Sequence, residues 1–311
     1  GADLRLFDSA DGSDRALAID VGSDFGLRRT RYLKQPLVHL GQAHLGADGK
    51  RVALTARGNV AIAGSGPLRR VDVTAPAGAR LREAVPSHDG KQVYALLDAE
   101  GRSEIWSFPA DGSPGGRALT QGGTRHRWRL YPSPDGHWLA HDNKDGELWL
   151  LDLRDGSNRR IDADEYARDD AYADVVWSPD SRYLAVTRTD SARQLPQIVL
   201  LEPATGKHDT ITSDRYESFS PALSRDGRWL YFLSNRSFQS SVGSPWGDRN
   251  TGAFFDRRTR AYAYALQVGT RFPFQAPNEL QDAREVKAAD KAESAPAKDA
   301  KADALPAIAF E

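Results

Sequence analysis

Cysteine and methionine are both absent from these 311 residues. Without cysteine there is no disulfide, thiolate metal site, iron–sulfur cluster or cysteine nucleophile to look for. The lack of methionine, with Gly1 in first place, points to an excised piece of a longer polypeptide; the other reading is that methionines are missing from the sequence as written. A charge surplus is lacking too. Against 43 Asp and Glu stand 42 Lys and Arg, a net charge of -1, so no cationic excess offers itself to nucleic-acid phosphates or an anionic membrane surface. No run approaches the roughly 20 apolar residues of a membrane span. No secretory leader is expected either, because a strand-like pattern begins at once after Gly1-Ala2-Asp3. What remains is an ordinary globular composition, 40% hydrophobic and 27% charged, long enough for one large domain or two small ones.

What is present is a repeat. An apolar run, a tight turn at Asp and a second apolar strand recur at Ala43–Gly49, Ala84–Gly90, Leu130–Gly136, Val175–Ser181 and Pro221–Gly227. The turn residues Asp48, Asp89, Asp135, Asp180 and Asp226 lie 41, 46, 45 and 46 residues apart. A period near 40–45 residues with about four short strands per copy is the pattern of a β-propeller blade. Asp caps the turn and Gly supplies the positive φ. Alternating strands follow, such as Gln92-Val93-Tyr94-Ala95-Leu96, then third strands such as Glu147-Leu148-Trp149-Leu150-Leu151, and in four copies a short outer strand. No segment carries a 3.6-residue apolar stripe. The expected fold is all-β: a propeller of four-stranded antiparallel blades, about five fuller ones plus a half-blade, part of a larger ring.

Residues 1–21 repeat only the last two strands of a blade, so they read as the end of a preceding one. Residues 22–36 read as a connector and 37–281 as propeller blades, the fifth interrupted by an insertion around 238–258. Residues 282–304 hold nine Ala, five Lys or Arg and six Asp or Glu, with Val286 the only larger apolar residue. That composition predicts a flexible linker. Residues 305–311 turn apolar again, as at the start of a further strand.

Several runs resemble the bacterial tricorn-like peptidases, large serine hydrolases with TolB-like propellers ahead of a PDZ domain and a catalytic core. These runs are Ser133-Pro134-Asp135-Gly136-His137-Trp138-Leu139-Ala140-His141, Glu147-Leu148-Trp149-Leu150-Leu151-Asp152 and Trp177-Ser178-Pro179-Asp180-Ser181-Arg182-Tyr183-Leu184-Ala185. The fifth copy adds Leu230-Tyr231-Phe232-Leu233-Ser234-Asn235-Arg236, Val242-Gly243-Ser244-Pro245-Trp246-Gly247 and Phe254-Phe255-Asp256. Trp-Ser-Pro-Asp occurs across many propellers, whereas the Gly-Ser-Pro-Trp-Gly insertion followed by Phe-Phe-Asp is far more particular. The first copy departs from the pattern, with Gly46-Ala47 where the others begin with Ser. The resemblance covers most of residues 3–280. It implies that residue 37 opens the second, seven-bladed propeller of such a peptidase and that the catalytic Ser and His lie in a core this sequence does not contain. It also implies a large homo-oligomer and a cytoplasmic setting, with a periplasmic one still open.

No catalytic residue can be assigned within the chain. Gly64-Ser65-Gly66-Pro67 lacks the nucleophile elbow of serine hydrolases and reads as a turn. His137 and His141, four apart on a strand, would stand about 13 Å from each other, too far for one metal. Asp142-Asn143-Lys144-Asp145-Gly146-Glu147 lacks calcium-loop spacing and reads as a hairpin turn. No cofactor or metal is expected. Trp106, Trp138, Trp149, Trp177 and Trp229 recur at blade positions and read as packing between sheets.

Two sets of residues are left as candidates. Six residues before each turn Asp stand Gln42, Glu83, Arg129, Asp174 and Ser220, a polar column where inner strands begin at the channel mouth. With Arg82 and Arg127 they could filter extended peptides, and the bland reading is that a solvated strand start is polar anyway. The insertion aromatics Trp246, Phe254 and Phe255 either fold over their own blade or dock on another domain. The expected function is a non-catalytic propeller module that gates or guides peptides to a peptidase core outside the chain. Its partners would be peptides and the remaining propeller, PDZ and catalytic domains, with no nucleic acid and no membrane. The alternatives are a stand-alone TolB-like interaction module and a propeller enzyme in its own right, for which the column offers only Glu83 and Asp174 as acids.

Overall fold

Short strands joined by polar turns make up nearly all of the regular structure. The computed structural model describes residues 4–19, 34–64, 69–164, 172–189, 193–240 and 255–276, with the single positions 22, 26, 32 and 66. The insertion residues Trp246 and Phe254, Ser65, the 282–304 segment and 305–311 lie outside the described residues, as does most of the 22–36 connector. The chain divides into two units, Gly1–Val38 and His39–Glu311. In the first, β1 (Arg5–Phe7) pairs antiparallel with β2 (Asp14–Ala16), Leu6 opposite Arg15. The turn between them has Gly12 at φ 73 and Asp11 Oδ1 accepting from the Ser13 N–H at 2.8 Å.

The second unit holds five antiparallel sheets, each built from strands consecutive in the chain. Blade one contains β3 (Leu40–Leu45), β4 (Arg51–Ala56), β5 (Asn59–Gly64) and β6 (Val71–Asp72). Blade two contains β7 (Arg80–Pro86), β8 (Gln92–Ala99), β9 (Arg102–Pro109) and β10 (Arg117–Ala118). Blade three contains β11 (Arg127–Pro132), β12 (Trp138–Asn143), β13 (Glu147–Asp152) and β14 (Asn158–Ala163). Blade four contains β15 (Asp174–Trp177), β16 (Leu184–Thr189), β17 (Pro196–Glu202) and β18 (Lys207–Thr210). Blade five has three described strands, β19 (Ser218–Leu223), β20 (Trp229–Ser234) and β21 (Arg260–Ala265). The fold is all-β, a run of propeller blades.

The turn between the first two strands of a blade explains the repeat. In blades two to five the Ser hydroxyl donates to the turn Asp and accepts the N–H of the next strand's first residues. Ser133 Oγ lies 2.5 Å from Asp135 Oδ1 and 2.9 Å from the Trp138 N–H; Ser87, Ser178 and Ser224 repeat the arrangement. Blade one has Gly46 in the Ser position, so Asp48 there caps only the backbone, at Lys50 N (2.9 Å) and more distantly Arg51 N. That is the physical content of its departure from the pattern. The following residue is left-handed in every copy, Gly in four of them and Ser181 at φ 59 in the fourth blade.

Side-chain alternation then binds the blades into a stack, because each middle strand is covered on both faces. Val93, Ala95 and Leu97 of β8 join Ala53, Val60 and Ile62 of blade one. Leu96, on the other face, joins Leu130, Leu139 and Leu151 of blade three. Val199 and Leu201 pack with Leu148 and Leu150 of blade three, while Ile198 and Leu200 pack with Leu230 and Phe232 of blade five. Every junction between successive blades therefore has its own apolar cluster, and each fully buried Leu contributes about 1.5–3 kcal/mol of transfer free energy.

Candidate functional site: the inner-strand column

The innermost strands β3, β7, β11 and β19 each carry a register shift: between Leu40 and Gln42, Arg82 and Val85, Arg127 and Leu130, and Phe219 and Ala222. Gln42, Glu83, Arg129 and Ser220 sit in or beside these bulges, whereas Asp174 lies in β15, whose pairing with β16 is regular. An extra residue in one strand bends it and re-aims its side chains. Glu83 and Ser220 adopt left-handed φ values of 48 and 54 there, a conformation that non-glycine residues seldom take.

The re-aimed groups reach the next blade. Glu83 N–H donates to Gln42 Oε1 at 3.1 Å, and Ala84 N–H donates to Thr55 Oγ1 at 3.2 Å, linking blades one and two. Arg82 Nη1 donates to the Arg127 carbonyl at 3.0 Å, and Arg127 reaches back to the Ser103 carbonyl and to Glu104 at 3.3 Å, linking two and three. Arg129 Nη1 donates to the Ala173 carbonyl at 3.0 Å, linking three and four. Asp174 Oδ2 accepts from the Ser220 N–H at 2.9 Å and from Thr187 Oγ1 at 3.2 Å, linking four and five. So the column residues span all four junctions. The side chains of Gln42, Arg82, Arg127, Arg129 and Asp174 each satisfy a backbone group that a bulge or strand end would leave without a partner.

One column residue, Glu83, is buried, and its charge acts on a second buried acid, Asp142. Glu83 is 2% exposed; its Oε1 stands 3.3 Å from His44 Nε2 while its Oε2 has no hydrogen-bond partner among the described residues. Asp142 is equally buried and accepts the Arg129 N–H on Oδ1 at 2.8 Å. Burial pushes the Asp142 carboxyl up to about 7, with the Glu83 charge adding to the shift and Arg129 opposing it. Its neighbour His141, in contact with Asn158 Oδ1, is pulled down to about 3 by burial and then by Arg127. Sequence reasoning places Asp142 in a hairpin turn, whereas it is a strand residue of β12 pointing into the interior; the turn begins at Asn143. The available signal was the strand pattern that opens with Trp138-Leu139-Ala140 and carries on through Asp142.

A crevice of about 540 Å³ opens between blades one and two and reaches blade three. Gln42, Arg82 and Arg129 line it together with Arg57, Arg80, Asp98, His126 and Trp128, none of which the repeat pattern singles out. Of the insertion aromatics, Phe255 lies edge-on to Phe238 at 5.4 Å, and Phe238 edge-on to Tyr216 at 6.1 Å. Phe255 thus rests against residues flanking its own blade's inner strands.

The chain matches the family model described as the tricorn protease second β-propeller domain over residues 40–305. It is similar to tricorn protease homolog 1 of Streptomyces coelicolor, 31% identical over 232 residues that cover 71% of this chain and 21% of that protein. The tricorn protease of Thermoplasma volcanium is 32% identical over 156 residues, 48% of this chain and 14% of that one. The crystal structure of the tricorn protease shares the fold over 86% of this chain and 25% of its own, with a TM-score of 0.66 at 17% identity. The chain therefore spans about a fifth of the length of its Streptomyces relative. It belongs to the tricorn protease second β-propeller family, as a propeller domain of a tricorn-like protease.

Proposed function

We propose that this propeller guides peptides to, or products from, a serine-peptidase core carried elsewhere in the same polypeptide. The observation that carries the reading is the family match over residues 40–305, in a chain that accounts for only 21% of a protease relative's length. The partners on this reading are peptides, the remaining propeller, PDZ and catalytic domains, and further copies of the whole polypeptide. The column supports it in a specific way. Gln42, Arg129 and Asp174 are occupied in holding neighbouring blades, which fixes the width of the mouth, and a mouth of fixed width discriminates by size and charge.

Ser220 offers the test. It is exposed, and its contact to Asp174 is made through its backbone N–H, so its side chain is free to change without breaking that link. The chain has no cysteine, so Ser220→Cys creates a single alkylation site within it. Attaching a bulky maleimide there in the full-length protein is expected to slow turnover of peptides of ten or more residues several-fold, and of tripeptides little. The unsubstituted full-length protein treated with the same reagent is the control. Equal rates for all lengths before and after alkylation would overturn the reading.

A further inference from the structure

We propose that the crevice between blades one and two binds peptide carboxylates and so favours acidic peptides at this mouth; the inference rests on the peptide-guiding reading above. Four arginines and one aspartate line it, an excess of positive charge in a chain that is balanced overall. Their states differ. Arg82 is held by Asp98, with Nη2 to Oδ1 at 3.0 Å, and Arg129 is engaged with the Ala173 carbonyl. Among the described residues, Arg57 and Arg80 take part in no ion pair, and both are exposed. Two guanidinium groups thus face the crevice with their carboxylate-binding forks unused.

The backbone puts them there. Arg57 and Gly58 form the β4–β5 turn, both left-handed, at φ 51 and 81. The Leu81 N–H donates to the Gly58 carbonyl at 2.9 Å and ties the start of β7 to that turn. A Cβ on Gly58 would stand 2.8 Å from Arg80 Cγ, so the glycine is what lets the Arg80 stem lie across the turn. His126 closes the side nearest blade three, edge-on to Trp128 at 4.5 Å. Burial, and then the Arg82 charge, pull the His126 pKa down, with Lys144 and Arg80 adding to this and Asp98 opposing it. Three cations bear on that wall against one aspartate. Trp128, half-buried, supplies an apolar face beside the cations. A volume of about 540 Å³ with an aromatic wall and few convergent charges is of the size and make-up of a small-ligand site.

The carboxylate can come from Asp and Glu side chains or from a peptide C-terminus, and the probes separate these. One is an acidic, N-acetylated, C-amidated octapeptide; the second is a neutral octapeptide with a free C-terminus; the third is its amidated form. Each, fluorescently labelled, is titrated by anisotropy against the full-length protein and against Arg57→Asn/Arg80→Gln. Asparagine tolerates the left-handed position of Arg57. The double variant is expected to bind the acidic peptide about tenfold more weakly and with a flatter salt dependence. Arg57→Lys/Arg80→Lys should recover most of the affinity, which a misfolded crevice would not. Loss confined to the free-acid peptide would assign the same site to chain termini. Affinities unchanged by the double variant for both carboxylate peptides would overturn the proposal, as would inorganic phosphate binding that the variant abolishes while peptide binding is untouched. If no peptide of any charge binds the full-length protein, it is the guiding reading that fails; if all three bind alike and the variant changes nothing, only the carboxylate site does.

Discussion

Replacing Asp142 by Asn tests the energetics of the blade interior most directly. The carboxyl is 2% exposed and its pKa is raised from 3.8 to about 7, burial being the main cause. A group with a raised folded-state pKa binds more protons folded than unfolded, so its contribution is intact below pH 4 and is lost as pH rises through 7. At about 1.36 kcal/mol per pH unit over that span, ionisation at Asp142 destabilises the blades by about 4 kcal/mol once pH is well above 7. Asn keeps an oxygen for the Arg129 N–H, now 2.8 Å away, and never ionises. His141 titrates in the opposite sense: held near 3, it costs stability as pH falls below 6.5, so the two residues nearly cancel in the native protein between pH 4 and 6.5. The measurement must therefore be the difference between D142N and the native protein, by urea unfolding followed through tryptophan fluorescence at each pH. D142N is expected to gain on the native protein by about 2–3 kcal/mol between pH 5 and pH 8. A difference that stays flat over that range would mean that Asp142 is not a buried, protonated acid and would refute the reasoning.

Two further substitutions test the turn that defines the repeat. Ser133→Ala removes a hydroxyl that is 1% exposed and serves both Asp135 and the Trp138 N–H, and it should cost about 1–2 kcal/mol in chemical unfolding. In the opposite direction, Gly46→Ser gives blade one the hydroxyl the other four have. A Cβ at Gly46 would stand 3.3 Å from Asp48 Oδ1, the acceptor that hydroxyl would use, and the position needs no positive φ. A gain of about 0.5–1 kcal/mol is expected, read as a higher thermal midpoint, and a lower midpoint would show that the missing Ser is not what weakens that turn.

The blades were legible because their determinants are local and repeated. Ser-x-Asp-Gly fixes a turn through contacts within five residues, and strands such as Val93–Leu97 announce two buried faces by being apolar at nearly every position. The site was legible only in part. Counting six residues back from each Asp finds Gln42, Glu83, Arg129, Asp174 and Ser220, because the repeat carries them to equivalent places. What each one touches depends on residues about 45 positions away, as in Arg129 to Ala173 or Ser220 to Asp174, and no local pattern encodes that. The bulges escaped notice because Glu83 and Ser220 take their left-handed conformation without a glycine to mark it. Arg57 and Arg80 escaped for another reason: they lie on a turn and a strand end, where an arginine is unremarkable until the fold brings two together.

On the peptide-guiding proposal, the column and the crevice would divide the work that one ring of polar residues was expected to do. A side chain that spans a blade junction has a fixed partner, and the energy of that contact is available to a ligand only if the junction opens. Gln42, Arg129 and Asp174 are in that position, each accepting from or donating to the backbone of the next blade. Breaking such a link leaves a partly buried donor or acceptor without a partner, at about 1–3 kcal/mol. That is more than an exposed ion pair with a passing peptide returns, which is about 0.2–1 kcal/mol. Charge reversal at Arg129 or Asp174 would therefore read out blade cohesion before it read out peptide selection. Groups that can meet a carboxylate ligand at no such cost are exposed cations without an internal partner. Arg57 and Arg80, and the Trp128 face beside them, meet that condition, so if the propeller guides peptides as proposed, its selectivity is to be sought between blades one and two rather than around the ring.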